Sequence, residues 1–348
     1  MSALNIPKID VSALFANDRA QQKIVDSTIL DAATTAGFLT ISGLPAPASL
    51  TAERRKFLLR LFSLPEKEIR KLWLWNFDHG QKNVYRGWFP LQNGFPTYKE
   101  GIDIGPDIVD GNARIGADDP LLSATPLPGE DVLPGWHAAA RDYYVAMTKT
   151  SATLMRSIAR GLGLDEKTFD EAFEGGISTL RFIHYPVRPE QSFEGAVGEG
   201  LWTEHNGERR YLTGRAHADT GFLTLLAQDA VSGLQAKHHD GSWIDIPPVE
   251  GTLAVNFGKV LERWTGGRVR ATIHRVLGSG QERFSIPFFY EPRPDAVIAP
   301  LPLPDIQAFE PFYYGDHLWE TITKFNVEFR GIDHLRKALG TPPAASAR

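Results

Sequence analysis

Two histidines and one aspartate in the second half of the chain have the residue types and spacing of a metal site. His217 and Asp219 are separated by a single residue, and His274 follows in a later β-rich run. Residues i and i+2 of a strand point to the same face, so a strand here presents an imidazole and a carboxylate together. Two imidazoles and one carboxylate suit non-haem Fe(II), because three protein ligands on one face leave adjacent positions open for a chelating co-substrate and dioxygen. We therefore expect His217, Asp219 and His274 to bind Fe(II) for a dioxygen-dependent oxidation.

An arginine and a serine follow His274 with the spacing of a carboxylate-binding pair. Arg283 and Ser285 are again at i and i+2, so one strand face would carry a guanidinium and a hydroxyl. Arginine can hold a carboxylate through two parallel charge-assisted hydrogen bonds, and serine can add a third. The expected ligand is the distal carboxylate of 2-oxoglutarate, whose oxo-acid end can chelate iron through two oxygens.

Each of these pairs has an ordinary structural explanation when it is considered alone. Most His-x-Asp pairs are surface polar residues, and most Arg-x-Ser pairs contain an exposed arginine whose ion pairs contribute little. The order His-x-Asp, His and Arg-x-Ser lies along one run of predicted strands, in phase with a strand face. That order favours an iron site with a bound co-substrate.

The composition is that of an ordinary globular protein and excludes several kinds of site. The chain has 348 residues, of which 42% are hydrophobic and 23% charged, which is enough apolar material for a sizeable core. A net charge of −5 argues against a nucleic-acid partner, and there is no apolar run of membrane-spanning length or secretory signal pattern. We expect a cytoplasmic protein with a small-molecule partner, and the oligomeric state stays open. The absence of cysteine excludes thiolate metal sites and cysteine nucleophiles, so any metal must use His, carboxylate or water.

The first half of the chain, residues 1–175, has mostly helical periodicity. Helices are predicted over 20–36, 51–62, 65–72, 136–162 and 165–173, with one strand over 38–42. The stretch 76–128 is rich in Gly, Pro, Asp and Asn, so we expect irregular backbone there. The helix over 136–162 is long enough to support a sheet.

Residues 177–300 have the pattern of a β-rich core. Short β-branched and aromatic runs are separated by turn residues, and they predict strands over 178–185, 213–219, 222–228, 233–237, 242–246, 252–257, 269–276 and 283–290. Strands of this number and spacing are typical of a sandwich or barrel of the jelly-roll (cupin-like) type, so the fold class is mainly β with flanking helices. A last helix over 316–339 and a tail over 341–348 complete one predicted domain of residues 1–340.

The chain resembles the isopenicillin N synthase-like branch of the Fe(II)/2-oxoglutarate-dependent oxygenases over roughly residues 5 to 335. The matching motifs occur in order along the chain. They are Ile6-Pro7-Lys8-Ile9-Asp10, Ala36-Gly37-Phe38, Tyr85-Arg86-Gly87-Trp88, Lys99-Glu100, Leu180-Arg181-Phe182-Ile183-His184-Tyr185-Pro186, His217-Ala218-Asp219, Gly221-Phe222-Leu223-Thr224-Leu225, Gly233-Leu234-Gln235, Val255-Asn256-Phe257-Gly258, His274-Arg275-Val276 and Arg283-Phe284-Ser285-Ile286-Pro287-Phe288-Phe289.

The resemblance implies a double-stranded β-helix that uses Fe(II), 2-oxoglutarate and dioxygen. It implies iron on the two histidines and the aspartate, with the co-substrate carboxylate on Arg283 and Ser285. It also implies that the hydroxyl of Tyr185 faces the co-substrate or substrate. The implied reaction couples oxidative decarboxylation of 2-oxoglutarate to succinate with hydroxylation, desaturation or cyclisation of a small organic substrate.

Three departures from the family pattern concern the surroundings of the iron site. Ile183 stands where many relatives have Asn, which removes one polar contact to the co-substrate, and Lys259 stands where Asp is common. The connection 186–217 is longer than usual and contains a predicted hairpin around Asn206-Gly207.

The inserted hairpin is either a lid over the iron or a solvated surface hairpin. As a lid it would bring Trp202, His205 or Arg210 to the substrate. Two further residues are substrate-contact candidates within the family motifs, namely Arg86 and Phe289. All five assignments are expectations about substrate binding.

Three other functions remain open at this stage. A 2-oxoglutarate-independent oxidase would use Arg283 and Ser285 to bind the carboxylate of its own substrate, and succinate production separates the two cases. A redox-neutral cupin-type metal enzyme would work without dioxygen. A non-enzymatic module that retains the metal site would show no substrate-stimulated turnover of 2-oxoglutarate.

Overall fold

The computed structural model describes residues 6–93, 97–111, 116, 118–193 and 201–342. The α-helices of this part are α1 Arg19–Thr35, α2 Ala52–Leu58, α3 Glu66–Ile69, α4 Asp107–Asp110, α5 Trp136–Gly161, α6 Asp170–Phe173, α7 Lys259–Trp264 and α8 Tyr314–Phe325. The strands are β1 Lys8–Asp10, β2 Phe38–Ser42, β3 Gly87–Phe89, β4 Glu100–Ile104, β5 Thr179–Tyr185, β6 Trp202–His205, β7 Glu208–His217, β8 Leu223–Gln228, β9 Leu234–Lys237, β10 Trp243–Asp245, β11 Leu253–Phe257, β12 His274–Leu277, β13 Arg283–Tyr290, β14 Val297–Ile298 and β15 Phe312–Tyr313.

The larger sheet lies between helix α5 and the site. It has eight strands in the order β1-β2-β11-β8-β13-β5-β4-β3, and every pair except β1 with β2 is antiparallel. One face packs on α5, where the rings of Tyr144 and Phe288 meet edge to face at 5.2 Å. Helix α1 is tied to the far side of α5 by a bidentate ion pair between Asp26 and Arg160. The opposite face of the sheet is left for the site.

The smaller sheet brings two predicted ligands together. Its five strands have the order β10-β9-β12-β7-β6, and His274 of β12 pairs in register with His217 of β7. The eight strands predicted for the β-rich core all have counterparts in the two sheets. The two sheets confirm a mainly β fold with flanking helices. The long helix predicted over 136–162 is also confirmed.

The stretch predicted to be irregular, 76–128, contains two strands of the larger sheet. Strand β4 pairs with β5, with Gly101 opposite Ile183. A Cβ at Gly101 would lie only 2.2 Å from the carbonyl oxygen of Phe182, so this pairing needs glycine. The prediction was wrong here because it treated glycine only as a sign of turns.

The strand predicted over 269–276 begins only at His274. Before it, Arg270 N–H donates to the carbonyl of Ala33, and the hydroxyl of Thr272 donates to the carbonyl of Ala36. These bonds attach the segment to the end of α1, so it cannot form a ladder with a neighbouring strand.

Several predicted helices are shorter than expected. The last helix ends at Phe325 instead of 339, because Asn326 is extended and 3₁₀ turns follow at Val327–Phe329 and Asp333–Leu335. The helices predicted over 51–62 and 65–72 finish as 3₁₀ turns, and the one over 165–173 is helical only in α6. Of the predicted tail, 343–348 lie outside the described residues, and the single domain of residues 1–340 stays a prediction. No helix in the described ranges is long and apolar enough to cross a membrane.

Candidate active site

The structure brings His217, Asp219 and His274 together between the two sheets. One potential ligand atom from each lies within 4.8 Å of the other two. The Nε2 atoms of His217 and His274 lie 3.5 and 3.7 Å from Oδ1 of Asp219. His217 ends β7 and His274 begins β12, so the register of these two strands sets the spacing of the imidazoles.

Backbone carbonyls orient both imidazoles with Nε2 towards the aspartate. The Nδ1 of His217 lies 2.7 Å from the carbonyl oxygen of Arg215, and the Nδ1 of His274 lies 3.2 Å from that of Thr272. A carbonyl only accepts, so each Nδ1 carries the proton and donates it, which leaves each Nε2 lone pair available. This tautomer is the one that a metal bound at Nε2 requires.

The aspartate is held in the same way, through the oxygen that does not face the histidines. Its Oδ2 accepts hydrogen bonds from the hydroxyl of Thr224 at 2.5 Å and from Nδ2 of Asn256 at 2.7 Å. Burial alone would raise the pKa of Asp219, but His274 and His217 hold it well below its usual range. Asp219 therefore presents an ionised Oδ1, which suits a divalent cation.

His217 and Asp219 line a large cavity, and His274 lies beside them. Asp219 and His274 are 12% and 11% exposed at their side chains, whereas His217 is 55% exposed. The cavity has a volume of about 1010 Å³, and its wall includes Phe289. A metal at this site would be bound by these three side chains. Its remaining coordination positions would face the cavity.

The predicted carboxylate-binding pair lies on the inner face of β13. Arg283 and Ser285 are each 3% exposed, and Arg283 pairs in register with Tyr185, whose ring centroid lies 5.1 Å from Cζ of Arg283. Nε, Nη1 and Nη2 of Arg283 are all buried, with no hydrogen-bond partner among the described residues. A buried guanidinium without acceptors is costly, so this arrangement fits a site whose carboxylate arrives with a ligand.

Two of the three departures from the family pattern, Ile183 and Lys259, lie near the candidate site. Ile183 of β5 lies directly across from Ser285. Strand β5 therefore presents an apolar side chain to Arg283 and Ser285, where many relatives have the amide of Asn. Lys259 is on the cavity rim, where its Nζ pairs with the carboxylate of Glu262 at 2.8 Å, while its backbone N–H donates to the carbonyl of Asp219. Neither changes the three candidate ligands.

Arg86, predicted as a substrate contact, is placed inside the protein. It is 1% exposed and donates to the hydroxyl of Thr179 and to the carbonyl of Ile177. It therefore braces the start of β5 and does not line the cavity. Phe289 does line it, as expected.

The inserted hairpin lies at the edge of the smaller sheet. Trp202 stacks on Phe193, with centroids 5.3 Å apart. His205 and Arg210 line a separate cavity of about 510 Å³ beside β9 and β10. None of the three residues lines the larger cavity, so the described part of the hairpin favours the surface alternative over the lid. Residues 194–200, which lead into it, lie outside the described residues.

Several cavity residues were missed by reasoning from sequence. Arg181 of β5 forms a bidentate ion pair with Asp103 of β4, with distances of 2.5 and 2.7 Å, and its Cζ lies 5.4 Å from the ring centroid of Phe289. Glu291 also lines the cavity. Continuing the i, i+2 phase of Arg283 and Ser285 to position 291 would have found Glu291.

Comparison with known proteins agrees with this geometry. A family model described as the 2OG-Fe(II) oxygenase superfamily matches residues 181–292. The 2-oxoglutarate-Fe(II) type oxidoreductase hxnY of Emericella nidulans is 30% identical, over 85% of this chain and 82% of the relative. Isopenicillin N synthase of Streptomyces clavuligerus is 28% identical, over 91% and 94% of the two chains.

Solved structures match the fold over nearly its whole length. A Neurospora crassa protein crystallised with alpha-ketoglutarate and 5-formyluracil has a TM-score of 0.75 and 26% identity, covering 93% of this chain and 97% of that chain. The same protein with alpha-ketoglutarate and thymine gives a TM-score of 0.75 at 25% identity, covering 93% and 98% of the two chains. These likenesses confirm the double-stranded β-helix and favour 2-oxoglutarate as co-substrate over the oxidase alternative.

Proposed function

Because the chain belongs to the 2OG-Fe(II) oxygenase superfamily, we propose that it hydroxylates one small organic molecule in the large cavity. Fe(II) is held by His217, Asp219 and His274, and the distal carboxylate of 2-oxoglutarate is held by Arg283 and Ser285. The reaction class is that of its relatives, and the residue assignments are our proposal. Among the possible outcomes we choose hydroxylation, which needs no second reacting group on the substrate.

The observation that carries these assignments is the buried, unpartnered guanidinium of Arg283. Three nitrogen atoms without acceptors in a site that is 3% exposed supply the donors that one carboxylate needs. Ser285 shares that strand face, and Tyr185 lies directly across from Arg283. The hydroxyl of Tyr185 is proposed to face the co-substrate from the neighbouring strand.

The residues of the chain contribute binding, orientation and exclusion of water. Fe(II) and 2-oxoglutarate, when bound, supply the oxidising chemistry, with succinate and carbon dioxide as co-products. The carbonyls of Arg215 and Thr272 keep the Nδ1 protons in place, so both imidazoles stay neutral donors of their Nε2 lone pairs. Arg283 fixes the co-substrate at one end of the strand, and the cavity wall aims one C–H bond of the substrate at the metal.

The cavity accommodates a small molecule. Its volume of about 1010 Å³ is at the upper end of the usual range for small-ligand pockets, and it also has to admit the end of the co-substrate. The matching Neurospora crassa protein was crystallised with 5-formyluracil and with thymine, which supports a small cyclic compound as substrate here. No macromolecular partner is part of the proposal.

The test is binding of 2-oxoglutarate to the anaerobic Fe(II) protein, followed by succinate release in air with candidate substrates. We expect the visible charge-transfer absorbance of chelated 2-oxoglutarate, and substrate-stimulated succinate. Arg283→Met should weaken 2-oxoglutarate binding by roughly a hundredfold, because a charge-assisted bidentate contact is lost. Arg141→Met, at an exposed arginine, is the matched control. Product formed without succinate would overturn the assignment of Arg283 to 2-oxoglutarate.

A further inference from the structure

One acidic residue of the cavity wall is not used by the mechanism above. Glu291 follows β13 and is 8% exposed. The hydroxyl of Tyr314 donates to its Oε1 at 3.0 Å, whereas Oε2 is buried with no hydrogen-bond partner among the described residues. A buried carboxylate oxygen without a donor is costly, which indicates that its donor comes with a ligand.

Glu291 lies close to Gly221, in the turn that follows Asp219. A Cβ placed on Gly221 would be 3.1 Å from the Tyr314 hydroxyl and 3.6 Å from Oε1 of Glu291. Gly221 is only two residues after Asp219 and lines the same cavity. A molecule hydrogen-bonded to Glu291 is therefore held close to the turn that carries the aspartate.

An aromatic ring and a second polar group share this wall with Glu291. Phe289 precedes it by two residues and pairs in register with Thr179, so Phe289 and Glu291 face the same way. Arg181, two residues after Thr179, gives Nε and Nη2 to Asp103, which leaves Nη1 as a donor. The wall thus offers an aromatic surface together with one acceptor and one donor.

We propose that Glu291 orients the substrate by accepting an N–H hydrogen bond at Oε2, and that the substrate is a small planar nitrogen heterocycle with a lactam edge. The carbonyl of that edge accepts from Nη1 of Arg181, and the ring lies on Phe289. This inference rests on the proposed function and names the substrate class of the same site.

A neutral N–H donor fits Glu291 better than a cation. Burial raises the pKa of Glu291 to about 7, and the neighbouring guanidinium groups of Arg86 and Arg181 oppose that rise. Positive charge is therefore already supplied to the carboxylate, and a cationic amine would be repelled by both arginines. At pH 8 the ionised form predominates and can accept.

The experiment measures binding rather than turnover, by calorimetry at pH 8 on the anaerobic protein loaded with Fe(II) and 2-oxoglutarate. The probes are thymine and 2-pyridone, their N-methylated forms 1,3-dimethylthymine and N-methyl-2-pyridone, and the cation benzylamine. We expect each lactam to bind at least tenfold more tightly than its methylated form, because methylation removes the donor to Glu291.

In the variant Glu291→Gln, the group at the position of Oε2 becomes a hydrogen-bond donor instead of an acceptor. The amide oxygen can keep the bond from Tyr314, and the amide nitrogen then presents donors to the substrate N–H. The preference for N–H over N-methyl probes should disappear, while 2-oxoglutarate affinity stays unchanged. Glu310→Gln, at an exposed glutamate, should keep the preference. If Glu291→Gln does not fold, Tyr314→Phe should reduce the preference severalfold, because Glu291 loses the bond that orients it.

Each contrary result has a distinct meaning. Equal affinity for N–H and N-methyl probes, tighter binding of benzylamine, or an unchanged preference in the variants would overturn the inference. An equal loss of affinity for all probes and for 2-oxoglutarate in Glu291→Gln would show a purely structural role and would also overturn it. Failure of the wild-type protein to bind 2-oxoglutarate would instead refute the proposed function.

Discussion

Asn256 donates a hydrogen bond of 2.7 Å from Nδ2 to Oδ2 of Asp219, and this bond joins the two sheets at the candidate metal site. Asn256 belongs to β11 of the larger sheet, whereas Asp219 follows β7 of the smaller one. The amide leaves Oδ1 of the aspartate directed at the two imidazoles. The position of the carboxylate thus depends on a residue that touches no metal.

Removing this amide should weaken metal binding without removing a ligand. In Asn256→Ala, Asp219 keeps only the Thr224 hydroxyl, and we expect metal affinity to fall about tenfold to a hundredfold. Calorimetric titration with Fe(II) under anaerobic conditions measures this change. Asn17→Ala, at an exposed asparagine, provides the control. Unchanged affinity in Asn256→Ala would show that Thr224 alone orients the carboxylate.

Replacing Arg283 should stabilise the ligand-free protein. Its guanidinium is buried with no acceptor in the described part of the chain, so Arg283→Met removes an uncompensated cost and should raise the free energy of unfolding by about 1–3 kcal/mol. Urea unfolding in the absence of 2-oxoglutarate gives this value. With Fe(II) present, adding 2-oxoglutarate should stabilise the wild-type protein, and at the same concentration it should stabilise the variant much less. A destabilised variant would mean that Arg283 has partners of its own in solution.

The buried pair of Asp103 and Arg181 should be far more sensitive to mutation than a surface pair. Asp103→Asn leaves the Arg181 guanidinium with a neutral partner in a site where the two side chains are 3% and 14% exposed, and should cost about 3–5 kcal/mol of stability. Asp142→Asn breaks the exposed pair with Arg141 and should cost less than about 1 kcal/mol. Chemical denaturation of both variants compares them directly, and equal costs would contradict the burial argument.

His184 should make stability depend on pH. Burial alone would lower its pKa, but hydrogen bonds of 2.8 Å to Glu100 and to Glu282 raise it above the ordinary value. Because the pKa is raised in the folded state, the stabilisation is fully present below the unfolded pKa of about 6.5 and is lost as pH rises through the folded pKa. The stability difference between wild type and His184→Gln should therefore shrink by about 1 kcal/mol between pH 6 and pH 9.

The matched control for this pH series is His239→Gln, at an exposed histidine. Its stability should follow the wild-type curve at every pH. A wild-type advantage over His184→Gln that grows towards pH 9 would have the opposite sign and would refute the assignment.

The sequence was sufficient for the features that depend on strand phase. His217 with Asp219, and Arg283 with Ser285, are local pairs, so the alternation of a strand predicts each without any tertiary information. The supporting helix over 136–162 follows from a long helical period. The pairing of His217 with His274 depends on the register of β7 and β12. The order of the ligands along the run of strands indicated that they meet, but no local pattern determines this register.

The rest depends on contacts between segments distant in the chain. Strand β4 is recognisable only beside β5, where Gly101 lets the two backbones approach. The sequence left the inserted hairpin open between a lid and a surface hairpin, because a hairpin edge can extend a sheet as readily as it can cover a cavity. Arg181 was missed because its role depends on Asp103 of another strand, and Glu291 was missed because it lies just beyond the predicted strand 283–290.

The inner face of β13 has a consequence for how such a protein can acquire new substrates. Ser285 and Phe289 are four residues apart, which corresponds to about 13 Å along an extended strand. In the proposed assignment, one end of this strand binds the co-substrate and the other end contacts the molecule to be oxidised. The strand keeps these two ends at a fixed distance. Substitutions near residue 291 can therefore change substrate selectivity while co-substrate binding at the opposite end is unchanged.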